Sequence, residues 1–281
     1  MSVNLLSPFK TYWMKGMQTC NAFIEIGAHY GPLITSKLDG NEVLYKNAGI
    51  VVYNIHVPDY LHLVKDLTVF LEAFEIEKAL KYYKETDKNR FIICRSLLKF
   101  ALAYHTQSDV DTITIKLLAN KKPYLPDHPN VFFNVSHSGE YAVLVISTLP
   151  IGIDIEYLDF NYNPQDTLSH IFNENEIHFI NNADCKTKAF FNLWTRKEAF
   201  VKALGKGIDD DFIKIPCLNG LHRLDKSLVE NSKNWFAIDF QLEANYQGCM
   251  VFATESSGQE NILALEFPKE ITHLLMIYNN K

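Results

Sequence analysis

The spacing of apolar residues changes period several times along this chain, and each change marks an element. Ile50-Val51-Val52-Tyr53-Asn54-Ile55 reads as a strand. From Tyr60 to Thr106 the pattern turns helical: Leu67, Phe70, Leu71 and Phe74 keep a helical step, and Glu75 to Lys84 is rich in helix formers. Asp87 then reads as the N-cap of a helix carrying Phe91, Cys94, Leu98 and Leu102. Short strands follow at Thr112–Leu117, Val131–Val135 and Tyr141–Ser147, with a turn at Lys122-Pro123. Ser136-His137-Ser138-Gly139-Glu140 reads as the hairpin loop between the last two.

Beyond Pro150 the period is two. Ile151, Ile153 and Ile155 alternate with Gly152, Asp154 and Glu156, a strand with one apolar face and one acidic face. A polar connection over 157–185 holds one helix begun near Asn173, with Glu174 and Glu176 as first-turn charges. Lys188 to Gly207, KAFFNLWTRKEAFVKALGKG, is an amphipathic helix with Phe190, Leu193, Trp194, Val201 and Leu204 on its stripe, broken by Gly205 and Gly207. Four more strands are predicted at Phe212–Leu218, Trp235–Leu242, Cys249–Thr254 and Ile262–Phe267. Residues 1–48 are the least legible. Asp39-Gly40-Asn41 is suited to a small hairpin between Leu33–Leu38 and Glu42–Tyr45, but an appendage, or a start at Met14 or Met17, explains the segment equally well.

Composition narrows the function classes. With 281 residues and 47% hydrophobic content the chain can bury a substantial core as one large or two small domains. A net charge of −6 argues against a nucleic-acid binder, which needs a basic face for phosphates. Five cysteines without a CxxC pair fit free thiols in a reducing cytosol. No apolar run approaches the length that spans a bilayer, and the first residues lack a signal peptide's pattern. A cytoplasmic protein is expected.

Asp154 and Glu156 repel each other on one strand face, an arrangement suited to an exposed edge or to a cation between them. Glu198 and Lys202, four apart, project from one helix face. The plain account of that pair is a solvent-exposed ion pair; the sharper one adds Glu198 to the two strand carboxylates as an all-oxygen set for a hard cation. No Cys or His stands near the acidic pair in the manner of a zinc site.

GIDIE followed about forty residues later by WTRKEAFVKALGKG, with Phe132-Phe133-Asn134-Val135-Ser136-His137-Ser138 and Lys122-Pro123 upstream, resembles the 4′-phosphopantetheinyl transferases of the Sfp type. The resemblance runs from about Val51 to Leu218. It implies an α+β fold of two similar halves related by a pseudo-twofold axis, with the active site in the cleft between them. The corresponding division is an N-terminal extension at 1–48, an N-terminal half at 49–150 and a C-terminal half at 151–281. It further implies Mg²⁺-dependent transfer of phosphopantetheine from coenzyme A to a serine of an apo acyl, peptidyl or polyketide carrier protein, by a monomer.

On that resemblance Asp154, Glu156 and Glu198 hold the metal, and Lys202 reaches the phosphates. Lys78, Arg90, Lys122, Ser136 and His137 fix the nucleotide end, with Lys78 and Arg90 at the 3′-phosphate. Glu75 stands where some relatives carry a basic residue. Glu198 or a metal-bound water takes the serine proton. Arg196 and Lys197 point off that face and are read as surface or structural residues, and Trp194 as core. Two other classes remain: a metal-dependent phosphodiesterase, and a non-catalytic coenzyme A-binding module.

Overall fold

The computed structural model describes residues 34–37, 49–206, 212–215, 217–218, 234–254, 260 and 262–279. The expected hairpin around Asp39-Gly40-Asn41 lies outside the described residues. So does Gly207.

The architecture is mixed α+β, in layers that follow from the two-residue period of the strands. One sheet has the order β1 (Ile34–Lys37), β10 (Ile262–Glu266), β2 (Ile50–His56), β6 (Tyr141–Ser147), β5 (Phe132–Ser138). A second sheet joins β7 (Ile151–Tyr157), β9 (Tyr246–Thr254) and β8 (Asn234–Glu243). Val51, Tyr53 and Ile55 of β2 and Leu144 of β6 face the helix α3 (Glu85–Thr106) in one core. The intervening residues, Ile50, Val52, Val143 and Val145, face Ile151, Ile153, Ile155 and Met250 of the second sheet. The far side of that sheet, with Cys249 and Val251, packs on Ala199 and Phe200 of the helix α6 (Lys186–Leu204). The order is therefore helix, sheet, sheet, helix, with the inner faces of both sheets packed on each other and their outer faces on the helices.

The two sheets share an order of elements. In the first, strand β2 is followed by α3 and then by the antiparallel hairpin β5–β6, whose second strand pairs with β2. In the second, β7 is followed by α6 and then by the hairpin β8–β9, whose second strand pairs with β7. The chain ends by returning to the first sheet. β10 pairs parallel with both β2 and β1, and α7 (Ile271–Asn279) packs on the first core through Leu274. Smaller elements are the helices α1 (Val64–Thr68), α2 (Ala73–Leu80), α4 (Leu168–Ile171) and α5 (Glu174–Asn181), and the two-residue strands β3 (Lys116–Leu117) and β4 (Pro123–Tyr124).

Several local expectations need correction. Thr112–Leu117 is mostly not a strand: Val110–Thr112 is a 3-10 turn, and Ile113 and Ile115 enter the core from irregular backbone. Phe212–Lys214 is another such turn instead of a strand. The helix expected to begin at Asp87 begins at Glu85, with Asp87 in its first turn. The loop expected over 136–140 shrinks to Gly139-Glu140, because Ser136, His137 and Ser138 continue β5 and pair with Val143, Ala142 and Tyr141. Asn173 does cap α5, and Glu176 completes the capping box.

Two glycines set the position of the site. Gly205, at φ +68°, ends α6 in the left-handed conformation, and the Lys206 amide donates back to the Val201 carbonyl. Gly152 lets β7 lie directly on α6: a Cβ there would collide with the Ala199 carbonyl and the Ala203 amide. Both obstacles are helix backbone, so neither yields by a rotamer change. Gly152→Ala should lower stability by about 1–3 kcal/mol or more in urea denaturation; wild-type stability in that variant would show that the contact is looser than described.

Candidate active site

Because β7 alternates, Asp154 and Glu156 leave it on the face turned to α6, and α6 presents Glu198 and Lys202 one turn apart. Lys202 does not form the surface pair with Glu198 that spacing alone allows. Its Nζ donates to Asp154 Oδ1 at 2.6 Å and to Ser136 Oγ at 3.0 Å, tying helix, second sheet and first sheet at one point. The ammonium keeps 27% side-chain exposure, whereas Asp154 is almost fully buried. Ser136 donates its hydroxyl to Asp154 Oδ1 at 2.8 Å. Glu156 is held at both oxygens, by Ser138 Oγ at 2.9 Å and by the Trp194 indole N–H at 3.1 Å.

These carboxylates are kept against their preference for water. Burial raises Asp154 above the ordinary carboxylate range, opposed by Lys202, Ser136 and the Ile155 amide. Burial also raises Glu156, and the charge of Asp154 adds to it. Glu198 is pushed up to about 7 by burial and by Asp154, opposed by Lys202. No hydrogen bond lowers Glu198 among the described residues.

The donor set suits a hard cation in chemistry, since it is all oxygen. Asp154 Oδ2 is buried without a hydrogen-bond partner, an orphaned acceptor beside two further carboxylates that the charge of Asp154 raises. Among the described residues no three Asp, Glu, His or Cys side chains already stand in a metal-holding group, and Lys202 neutralises Asp154 in their place.

The other expected site residues fall in separate places. His137 is exposed and leaves β5 on the side opposite Ser136, within electrostatic reach of Arg90 on α3. Partial desolvation, with Arg90 and Lys202, holds its imidazole below the usual value. Arg90 pairs with Asp87 at 2.7 Å. Lys78 lies over the Phe91 ring, 5.0 Å from its centroid, with Arg95 and Glu75 nearby. Glu75 is buried between Arg95 (3.3 Å) and Lys99 (3.6 Å). Lys122 reaches the end of α6 instead, donating to the Ala203 carbonyl at 2.7 Å, and burial takes its ammonium down to about 8. Asn120 donates to the Gly205 carbonyl beside it.

Three residues set aside in the sequence matter here. Trp194 is only half-buried and holds Glu156, so it is more than core. Arg196 and Lys197 are not on the surface: both are almost fully buried. Arg196 binds Asp239 and donates to the Cys217 carbonyl. Lys197 pairs with buried Glu176 at 3.0 Å and donates to the carbonyls of Phe212, Ile213 and Ile215. Losing one partner of such a pair costs about 3–5 kcal/mol, because the other charge stays buried. These contacts hold α6 from behind while Glu198 and Lys202 face forward.

The family described as the 4′-phosphopantetheinyl transferase superfamily matches residues 150–249, and the 4′-phosphopantetheinyl transferase N-terminal family matches 61–149. The chain belongs to the 4′-phosphopantetheinyl transferase superfamily. A 4′-phosphopantetheinyl transferase of Bacillus subtilis is 34% identical over 140 residues, 49% of this chain and 62% of that protein. The 4′-phosphopantetheinyl transferase Sfp of Bacillus subtilis strain 168 is 30% identical over 143 residues, 50% of this chain and 62% of its own length. A third Bacillus subtilis relative, 4′-phosphopantetheinyl transferase ffp, is 26% identical over 211 residues, 73% of this chain and 88% of that protein. The chain thus spans about 62% of the length of the first two relatives.

Within this chain, Ser138, Trp194 and Asn134 are the neighbours of the acidic strand that sequence reasoning missed. The available signal was the two-residue step Asn134, Ser136, Ser138, which mirrors Gly152, Asp154, Glu156.

Glu198 provides a pH test. Its folded carboxyl titrates at about 7, against an ordinary 4.5. The native state therefore keeps a proton that the unfolded chain has released, and the metal-free protein loses stability as pH rises through this window. Glu198→Gln lacks that loss. The variant should gain on the order of 2 kcal/mol over wild type at pH 8, allowing for partial exposure, and less at pH 5, by urea denaturation. A difference that stays constant between the two pH values would contradict the environment described for Glu198.

Proposed function

We propose that this chain transfers the 4′-phosphopantetheine group of coenzyme A to a serine hydroxyl of an apo acyl, peptidyl or polyketide carrier protein, releasing 3′,5′-ADP. The observation that carries the reading is the gathering of Asp154, Glu156, Glu198 and Lys202 where α6 meets β7, in a chain of this superfamily. The halves 49–150 and 151–281 are related on this reading by a pseudo-twofold axis with the site in the cleft between them; the shared element order supports it. Of the segment 1–48 expected as an extension, Ile34–Lys37 joins the first sheet as β1, so that strand is part of the fold of the first half. The protein acts as a cytoplasmic monomer; no helix among the described residues is long and apolar enough to cross a membrane.

In the reaction the serine oxygen bonds to the phosphorus next to pantetheine, and the phosphoanhydride bond to the departing 3′,5′-ADP breaks. The barrier is negative charge meeting a weak nucleophile, so positioning and neutralisation are what the protein contributes. Lys202, partly open to solvent, places its ammonium against the phosphates and the charge that grows on the leaving group. Glu198, one helical turn from Lys202 on α6, accepts the serine proton. Asp154, Glu156 and Glu198 would hold Mg²⁺, which supplies positive charge at the pyrophosphate when bound. Arg90 and His137 hold the nucleotide end, with Lys78 over the ring of Phe91, the residue after Arg90. Lys122 serves that end only by leaving the α6 carbonyl it now caps.

The test is to incubate the chain with coenzyme A, Mg²⁺ and a panel of apo carrier proteins and to measure intact carrier masses. One or more carriers should gain a single phosphopantetheinyl group, and Asp154→Ala should transfer none even in saturating Mg²⁺. Wild-type transfer by that variant would remove Asp154 from the site. Coenzyme A binding without transfer to any carrier would identify a binding module, and cleavage of simple phosphodiesters without a carrier would identify a phosphodiesterase.

A further inference from the structure

β5 and β7 belong to different sheets and share no backbone ladder, yet they run side by side in strict register. From Asn134 on, every second side chain of β5 accepts a hydrogen bond from every second backbone amide of β7, beginning at Ile153. The Ile153 amide donates to Asn134 Oδ1 at 2.9 Å, the Ile155 amide to Ser136 Oγ at 3.3 Å, and the Tyr157 amide to Ser138 Oγ at 3.0 Å. The separation is nineteen residues at each rung. These amides lie on the edge of β7 away from its partner β9, so without the rungs those of Ile153 and Ile155 would be unpaired donors in the interior, while that of Tyr157 stands at the exposed end of the strand.

The serines do a second thing at an offset of eighteen. Ser136 donates its hydroxyl to Asp154, and Ser138 donates to Glu156. At the same offset Asn134 meets Gly152, which has no side chain and lies on α6. An amide oxygen suffices at that rung, where there is nothing to receive a proton. A hydroxyl is needed at the other two, because it accepts from an amide and donates to a carboxylate at once.

We propose that Asn134, Ser136 and Ser138 form a side-chain seam that sets the register between the two sheets and, in the same bonds, orients Asp154 and Glu156. Ser138 is then a positioning residue for Glu156, which it holds from one side while Trp194 holds the other. Ser136 acts chiefly within the seam; its oxygen already serves Asp154, Lys202 and the Ile155 amide, which accounts for its burial. The consequence for activity rests on the transferase reading, but the seam itself does not.

The test reads amide hydrogen exchange residue by residue, by NMR, in the metal-free full chain. Ser136→Ala should speed exchange at Ile155, and Ser138→Ala at Tyr157, each by about tenfold or more, with the other rungs changed much less. Ser138→Thr keeps the hydroxyl and should restore the wild-type rate at Tyr157. In the transfer assay Ser138→Ala should lower kcat about tenfold with KM for coenzyme A within about twofold, and Ser138→Thr should recover it. Exchange that rises uniformly along β7, or stays unchanged, overturns the seam, as does failure of Ser138→Thr to rescue exchange. Rung-specific exchange in a wild-type chain that modifies no carrier would uphold the seam and remove the transferase reading.

Discussion

The structure is arranged around negative charge that is buried at a junction. Asp154 and Glu156 share one strand face, Glu198 approaches from the helix above, and burial raises all three carboxyls. Such a group is unfavourable by itself, so its neighbours are committed to offsetting it. Lys202 supplies the opposing charge, Ser136 and Ser138 the fixed donors, and Trp194 the last hydrogen bond to Glu156. Gly152 allows the strand and helix to come close enough for these contacts to form.

The helix carrying Glu198 and Lys202 works on two sides. Arg196 and Lys197 turn inward, to Asp239 and Glu176, and Lys197 also gathers the carbonyls of the 212–215 turn. Glu198, next in sequence, turns to the acidic strand. A helix advances about 100° per residue, so three consecutive charged residues cannot share one environment. The buried pairs fix the roll of the helix, and the roll fixes where Glu198 and Lys202 point. At the far end Lys122 and Asn120 satisfy its last carbonyls from the first half of the chain.

What was legible in the sequence were the features that periodicity encodes. The acidic strand, the helix over 186–204, the strands at Tyr141–Ser147 and in the second sheet, and the meeting of Asp154, Glu156, Glu198 and Lys202 all follow from residue spacing or from the family motifs. Three kinds of feature were not legible. Apolar residues can enter a core from irregular backbone, as Ile113 and Ile115 do, and mimic a strand. A polar run such as Ser136-His137-Ser138 reads as a loop until it is known that another strand lies beside it to take its hydrogen bonds. Arg196 and Lys197 read as either surface or structural residues because the partners that decide for the structural role, Asp239 and Glu176, are distant in sequence. In each case the deciding contact is long-range, and composition carries no record of it.

On the proposed function the crowded carboxylates would receive a divalent cation. Trp194 reports on them directly, since its indole N–H is bonded to Glu156. With 5-fluorotryptophan incorporated, and the Trp194 signal assigned through Trp194→Phe, Mg²⁺ is titrated and fluorine NMR recorded. The account predicts a saturable shift of the Trp194 resonance, no comparable shift for Trp235, and loss of the response in Asp154→Asn. A Trp194 signal indifferent to Mg²⁺, or one that moves equally in Asp154→Asn, would contradict it.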